Sequence, residues 1–343
     1  MLFQTNKFRS SLQAWYRRFK RDLPWRKTND PYRILVSEIM LQQTQVSTVI
    51  PYYIRWLRKF PDFETLAAAD EATVLKQWQG LGYYRRAKML RLNAQAVCRD
   101  HGGKLPSDFN ALLDLPGIGR YTAGAIASIA FEKRKPVLDG NVIRILTRLF
   151  AIKKNTALRT TVEDLWKKAE TLLPKKNIGD FNQALMELGA TVCFPQKPNC
   201  SKCPVSFTCR AHHLKQEEAF PVKSPAVKAT KQTFYALALT DSRGRVLIQK
   251  QKAGERWAGL WTLPHFVNLE DGLANWKIKG RALQPLRSHK HGFTRYQITL
   301  HSFKTSAPSH SVKLSDHLRW AAEKEIRNYA FPAVYQKIMD EVF

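Results

Sequence analysis

Up to about residue 190 the apolar residues recur three and four positions apart, broken at Pro and Gly, with hardly any alternation of β-branched residues. That spacing lines side chains along one helical face and predicts a mostly helical domain. Helices are expected over roughly 31–47, 64–78, 83–101, 108–114, 120–131, 141–149 and 180–190. From Thr233 the period changes: FYALALTD, RVLIQK and YQITLHSF alternate or run apolar over strand length, separated by turn-like DSRG and KHG. An α+β domain follows. Between the two, KQEEAFPVKSPAVKATK has two prolines, small residues and charges without periodicity, the composition of an exposed linker. The expected organisation is a helical domain over 1–213, a linker over 214–230 and an α+β domain over 231–343. No internal repeat or low-complexity tract is visible.

Two domains suit the 343 residues and their 44% hydrophobic content. Charge adds a partner class. Lys and Arg total 56 against 28 Asp and Glu, a net +28 carried along the whole chain, which favours a polyanion such as nucleic acid. Arg9, Arg17, Arg18, Lys20 and Arg21 near the start accompany no apolar stretch of signal-peptide or membrane-spanning length. The expectation is a cytoplasmic, nucleoid-associated monomer.

Four of the five cysteines, Cys193, Cys200, Cys203 and Cys209, form C-x6-C-x2-C-x5-C within one proline-bearing loop, while Cys98 stands alone. In a cytosolic protein such clustering points to metal and not to disulfides. A zinc ribbon normally offers two separated C-x2-C pairs, and only one is present; a [4Fe–4S] cluster fits four thiolates so arranged. Lys197, Lys202 and Arg210, interleaved with these cysteines, could meet phosphate or form an ordinary solvated face.

Upstream, DFNALLDLPGIGRYTAGAIASIAF reads as helix, LPGIG turn at 115–119, and a second helix from Arg120. Gly117 and Gly119 allow a tight bend, and the N–H groups opening the next helix can face a phosphate. Further on, VLDGNVIRIL sets Asp139 between an apolar pair and a helix start, beside Gly140 and Asn141. Capping that helix and serving as a reactive carboxylate are both open to Asp139. In NDPYRILVSEIMLQQTQV, Asn29 or Asp30 can cap a helix in which Ile34, Leu35, Glu38 and Leu41 share one face. A carboxylate on an apolar stripe holds its proton to higher pH, as a general acid requires.

LPGIG followed by VLDGN resembles the helix–hairpin–helix DNA glycosylase superfamily, and the cysteine spacing resembles its iron–sulfur branch, over roughly residues 8–212. SEIMLQQTQV, preceded by LPWR at 23–26 and followed by GLGYYRRAKML at 80–90, is similar to the MutY-type adenine-specific branch. The resemblance implies a catalytic acid at Glu38, a catalytic carboxylate at Asp139 with Tyr121 and Asn141 beside it, and a [4Fe–4S] cluster on the four cysteines. It also implies DNA or base contacts from Trp25, Arg26, Leu41, Gln42, Gln43, Gly117, Gly119 and Arg120, and a wedge at Tyr83. Related enzymes that also nick the backbone carry a lysine after the hairpin arginine, forming a Schiff base with the sugar. Tyr121 stands there instead, so a monofunctional enzyme is implied.

VLIQKQKAGERWAGLWTLPHF at 246–266 resembles the Nudix-like domain that reads 8-oxoguanine in the same family. A Nudix hydrolase needs a glutamate-dense box to hold Mg²⁺, and none is present, which sets aside a nucleotide diphosphatase. HKHGFTRY at 289–296 resembles the family's F-S-H lesion-sensing loop in Phe293 and Thr294, with Arg295 in place of histidine; without the family, a hairpin turn around 290–292 is the reading. The implied activity is removal of adenine opposite 8-oxoguanine or guanine in duplex DNA. A bifunctional lyase or a non-catalytic DNA-binding iron–sulfur protein are the alternatives.

Overall fold

The computed structural model describes residues 4–225, 228–278, 283–293, 295–306 and 315–343. Two compact units emerge, Met1–Ala68 with Met89–Pro225, and Ala69–Lys88 with Ala226–Phe343.

The first unit is helical: α1 (Thr5–Phe19), α2 (Pro31–Leu41), α3 (Val46–Lys59) and α4 (Phe63–Ala68) precede the excursion of the chain into the second unit. There lies α5 (Glu71–Trp78), and α6 (Arg85–His101) leads back. Then come α7 (Phe109–Asp114), α8 (Arg120–Ile129), α9 (Gly140–Phe150), α10 (Arg159–Leu172), α11 (Ile178–Thr191) and the short α12 (Arg210–His213). The expected helix over 31–47 is two helices: Gln42 ends α2 and Gln43 has φ +57°, a left-handed turn with no Gly or Pro to announce it. Asp30 is the cap, accepting from the N–H groups of Tyr32 and Arg33. Tyr32 and every residue from Ile34 through Met40 are buried and only Arg33 between them is exposed, so α2 is a core helix, not the one-faced helix expected.

α8 is built of small residues, and that decides how near its neighbours come. A Cβ on Gly124 would lie 2.2 Å from the Pro136 carbonyl oxygen, just upstream of Asp139. Gly189 on α11 does the same for α9: a Cβ there would meet the Asn141 Cβ at 2.4 Å. The core around them joins Phe8, Leu12 and Tyr16 of α1 to Val142, Ile145, Leu146 and Leu149 of α9 and Phe181, Leu185 and Leu188 of α11. Glu187, on α11 and fully buried, accepts from Arg21 Nη2 and Arg26 Nη2, each at 2.7 Å, and ties the N-terminal segment to this core.

The second unit holds a mixed sheet of β1 (Thr230–Thr240), β2 (Val246–Lys250), β3 (Trp261–Thr262), β4 (His265–Phe266), β5 (Gln284–Pro285), β6 (His289–Phe293), β7 (Tyr296–Ser306) and β8 (Leu318–Ala321). Its path runs β3-β2-β1-β7-β5, with β4 on β1, β6 on β7 and β8 on β2. β1 and β7 are parallel from Thr230↔Tyr296 to Thr240↔Ser306. The period-two pattern of FYALALT has the meaning read from it. Ala236 and Ala238 face Val334, Tyr335 and Ile338 of α15 (Ala333–Val342), whereas Leu237 and Leu239 face Trp276 beyond α13 (Leu269–Asn275). α14 (Glu323–Ile326) joins β8 to α15.

Three further sequence expectations change. Residues 69–88 belong to the second unit and not to a helical domain over 1–213, because Lys76 Nζ donates to the Tyr329 carbonyl and Tyr84 Oη to that of Phe331. The chain over 215–224 is no free linker: Arg148 donates to the Glu217 and Phe220 carbonyls, and Thr156 N–H and Oγ1 both reach the Val222 carbonyl. Lys290–Gly292 lie within β6, since pairing with β7 continues through His291↔Ile298 and Gly292↔Gln297, so no turn forms there. Among the described residues no helix is long and apolar enough to cross a membrane.

Gly117→Ala is expected to lower stability by about 1–3 kcal/mol, because Gly117 has φ +78° and a Cβ there would meet the Met89 Cβ at 2.6 Å. Gly119→Ala, at φ −100° with open space around it, should melt within about 0.5 kcal/mol of wild type in the same urea titration. Burial pushes Glu187 up, but the Arg21 and Arg26 hydrogen bonds prevail and hold it at about 2, below its usual 4.5. A lowered folded-state value stabilises above the unfolded one, so wild type should exceed Glu187→Gln in full above pH 4.5, and the gap should shrink as pH falls towards 2. Denaturant unfolding of both proteins across that range checks this.

Candidate active site

A cavity of about 770 Å³ opens in the helical unit, where α2, α8, the start of α9 and α11 converge. Glu38, Asp139, Tyr121 and Asn141 line it with Trp25, Arg26, Leu41, Gln42, Gln43, Gly119 and Arg120. Gly117 lies just outside this lining, in the turn that aims α8, and Tyr83 stands in the second unit, 42% exposed at φ +48°.

Glu38 is 6% exposed and accepts from the Tyr121 hydroxyl at 2.7 Å. Burial pushes its pKa up to about 7; the Tyr121 hydrogen bond and the charge of Arg26 oppose this, and the negative charge of Asp139 reinforces it. Asp139 is differently held. Its Oδ1 accepts from the Val142 N–H at 2.7 Å, capping α9, and its Oδ2 accepts from Asn141 Nδ2 at 2.9 Å. The capping role is therefore real, and Asp139 lines the cavity as it caps. Burial raises its pKa too, against two N–H donors and the nearby Arg144 charge. More donors meet Asp139 than Glu38, and each fixed donor favours the ionised form.

Gly119 caps α8 without a side chain, which leaves the first N–H groups of that helix without a cap acceptor, and Gly119 to Thr122 line the cavity. Arg120, expected to contact DNA or a base, pairs with Glu163 at 2.8 Å and lies 4.3 Å from the Trp166 ring centroid. Gln42 Nε2 donates to the Thr122 hydroxyl at 3.4 Å.

Arg144 and Arg148, one and two turns into α9, run from this site to the cysteine loop. Arg144 Nη2 donates to Asn141 Oδ1 and to the Gly189 carbonyl, and its Nε to the Cys193 carbonyl, all at 2.8 Å. Arg148, 2% exposed, donates Nη1 to the Phe194 carbonyl and to Cys193 Sγ at 3.2 Å, and Nη2 to the Pro195 carbonyl. Cys193, Cys200, Cys203 and Cys209 line one small cavity with Arg148, His212 and Glu217. Burial pushes the Cys200 and Cys203 thiols up to about 12 and raises Cys209 as well, with the other sulfurs adding to it. Three thiols held protonated by burial, with a fourth sulfur beside them, form a donor set that a bound cation would stabilise as thiolates. Cys200 Sγ, His212 and a Glu217 carboxylate oxygen also lie within 4.8 Å of one another, a possible metal site. Lys197, Lys202 and Arg210 are exposed around the loop.

In the second unit Phe293 ends β6 opposite Tyr296, and Thr294 lies outside the described residues. Arg295 is exposed, its Nη2 donating to the Tyr296 hydroxyl at 3.1 Å and its guanidinium 5.2 Å from that ring's centroid. Sequence reasoning passed over Arg21, Arg144, Arg148, Met186 and Glu187. For Glu187 the signal was there: a lone acid inside FNQALMELGATV reads as Glu38 did within its own apolar helix.

Residues 36–171 match the family model described as HhH-GPD superfamily base excision DNA repair protein, and residues 235–341 match a NUDIX domain. A solved thermostable thymine-DNA glycosylase superposes with a TM-score of 0.57 at 34% identity, over 61% of this chain and 97% of that one. The adenine DNA glycosylase of Rattus norvegicus is 51% identical over 214 residues, 60% of this chain and 42% of that protein, so the chain spans less than half of that relative. That of Buchnera aphidicola subsp. Acyrthosiphon pisum is 33% identical over 333 residues, 95% of each chain. Agreement of that extent, across the helical unit and the sheet unit alike, places this chain in the adenine DNA glycosylase family.

Proposed function

We propose that this chain hydrolyses the N-glycosidic bond of adenine mispaired with 8-oxoguanine or guanine in duplex DNA, leaving an abasic site. The observation that carries the reading is a pair of unlike carboxylates in one cavity, Glu38 raised to about 7 and Asp139 held by N–H donors. Environments that separate two carboxylates in this way divide acid from charge stabiliser.

The adenine nucleotide leaves the stack for the cavity at a cost of roughly a few kcal/mol, least at a mispair, with Gln42, Gln43 and Tyr83 filling or wedging the gap. Trp25, Arg26 and Leu41 frame the base. Glu38 gives its proton to adenine N7, and the glycosidic electron pair departs with the now neutral base. The Asp139 carboxylate, oriented by Asn141, faces the oxocarbenium-like sugar, and water adds to the sugar carbon with loss of a proton. Tyr121 offers no amine for a Schiff base, which supports base removal without strand cleavage. Gly117, Gly119 and the N–H groups opening α8 meet backbone phosphate; the exposed pair of Arg120 with Glu163 is weak enough to yield to one.

Cys193, Cys200, Cys203 and Cys209 are the residues that would hold a [4Fe–4S] cluster, whose bonds supply a crosslink fixing the loop. The sheet unit reads 8-oxoguanine through Phe293, Thr294 and Arg295. The protein acts as a monomer on duplex DNA.

Glu38→Gln should slow single-turnover adenine release by about 10²–10⁴-fold, and a wild-type rate in that variant would sink the acid assignment. Because the protonated form is the donor, the wild-type rate should fall as pH rises through about 7. Asp139→Asn should cost about 10²–10³-fold in the same assay. Thymine opposite guanine should be released far more slowly than adenine, and borohydride should trap no covalent complex; trapping would favour the lyase. Metal analysis should find about four iron and four sulfide per chain, with zinc instead speaking for a ribbon-like site.

A further inference from the structure

Tyr121 has one hydroxyl proton and two acceptors. Glu38 Oε2 lies 2.7 Å from its oxygen and the Met186 thioether sulfur 3.1 Å away. Among the described residues these are its hydrogen-bond partners. A phenol gives its proton to one acceptor at full strength while its oxygen stays able to accept.

The direction of the hydroxyl therefore depends on the state of Glu38. When Glu38 is ionised it has no proton to offer, and Tyr121 donates to it. When Glu38 carries a proton on Oε2, the carboxylic O–H becomes the donor on that same line. Tyr121 must then accept, and its own proton needs another acceptor; Met186 supplies it. A thioether is a weak acceptor, but a buried hydroxyl proton with none costs more than a weak bond fails to gain.

We propose that Met186 is a positioning residue for the proton of Glu38, its sulfur accepting the Tyr121 hydroxyl's hydrogen bond while Glu38 holds its proton, and the hydroxyl turning back to donate to the carboxylate once Glu38 has protonated the base. This rests on the reading of Glu38 as the acid. No covalent bond in the rotor changes: the proton leaving Glu38 goes to adenine, and Tyr121 keeps its own. Burial and the charges of Glu38 and Asp139 push the Tyr121 pKa well above 10, in keeping with a hydroxyl that turns and does not ionise. Asp139 and Arg26 are the charges that act on Glu38, and Arg21, Arg120 of α8 and Glu187 of α11 line the same cavity, so the rotor is a neutral device added to their fields. Its effect is to meet the new carboxylate with a hydrogen bond at the moment the proton departs.

The chain has five methionines, so methyl-¹³C-methionine labelling gives a spectrum simple enough to follow, with the Met186 signal identified by its loss in Met186→Leu. In the full-length protein that signal should move in one step centred near pH 7, and the step should vanish in Tyr121→Phe and in Glu38→Gln. A Met186 signal that stays still across this range in wild type, or that titrates unchanged in Tyr121→Phe, overturns the proposal. In single-turnover assays, with rates normalised to each variant's own low-pH plateau, Met186→Leu should move the midpoint down by about 0.3–1 pH unit. The direction follows because losing the acceptor disfavours protonated Glu38. Adding Met186→Leu to Tyr121→Phe should shift nothing further, whereas an equal shift in both backgrounds would mean packing and refute the rotor. Should Glu38→Gln release adenine at the wild-type rate, the acid reading fails; should it be inactive while Met186→Leu keeps the wild-type midpoint, only the rotor fails.

Discussion

The structure of the helical unit hangs on one helix end. The carboxylate of Asp139 caps α9, and the same helix sends Arg144 and Arg148 into the cysteine loop. A cap contributes about 1 kcal/mol, too little by itself to hold a carboxylate in one orientation against solvent. What fixes Asp139 is the series of bonds through Asn141 and Arg144 to the Gly189 and Cys193 carbonyls, each partner largely removed from water. Gly189 is part of this, because any side chain there would strike Asn141. The loop that gathers the thiols and the cavity that gathers the carboxylates are thus positioned by adjacent turns of one element.

Three acids line the cavity, Glu38 and Glu187 buried and Asp139 half-buried, and the donors around each decide its charge. Glu187 meets two guanidiniums and stays ionised to very low pH. Asp139 meets two N–H groups and the field of Arg144. Glu38 meets a phenol, a neutral and reversible donor, and is the one left able to carry a proton near neutrality. Burial alone would raise all three; their separation is a matter of how many fixed donors each can reach.

Much of this was legible because sequence spacing encodes local geometry. Acids on apolar helices, clustered cysteines and a glycine in a tight turn each break a local preference, and such breaks mark sites. Glu38, the four cysteines and Gly117 were visible on those grounds. The α/β change of period after Thr233 was visible too, as was the alternation along β1. What the pattern did not carry is what depends on partners far along the chain. Gln43 turns left-handed with an ordinary residue type, Lys290–Gly292 extend a strand because β7 pairs with them, and the polar chain after Lys215 is held by Arg148 and Thr156. Glu187 carried the same signal as Glu38, but its arginines lie over 160 positions away, beyond the reach of periodicity.

The assignment of residues 69–88 to the sheet unit bears on how such a protein is inherited and dissected. The sheet unit is assembled from two stretches, with Met89–Pro225 returning to the helical unit between them. No single break in the chain separates the two units. A truncation after Pro225 would leave Lys76 and Tyr84 without the Tyr329 and Phe331 carbonyls they serve, and the sheet expressed alone would lack α5. The halves are therefore not interchangeable cassettes joined by a tether: a recombination event or a fragment that keeps one intact must carry part of the other with it.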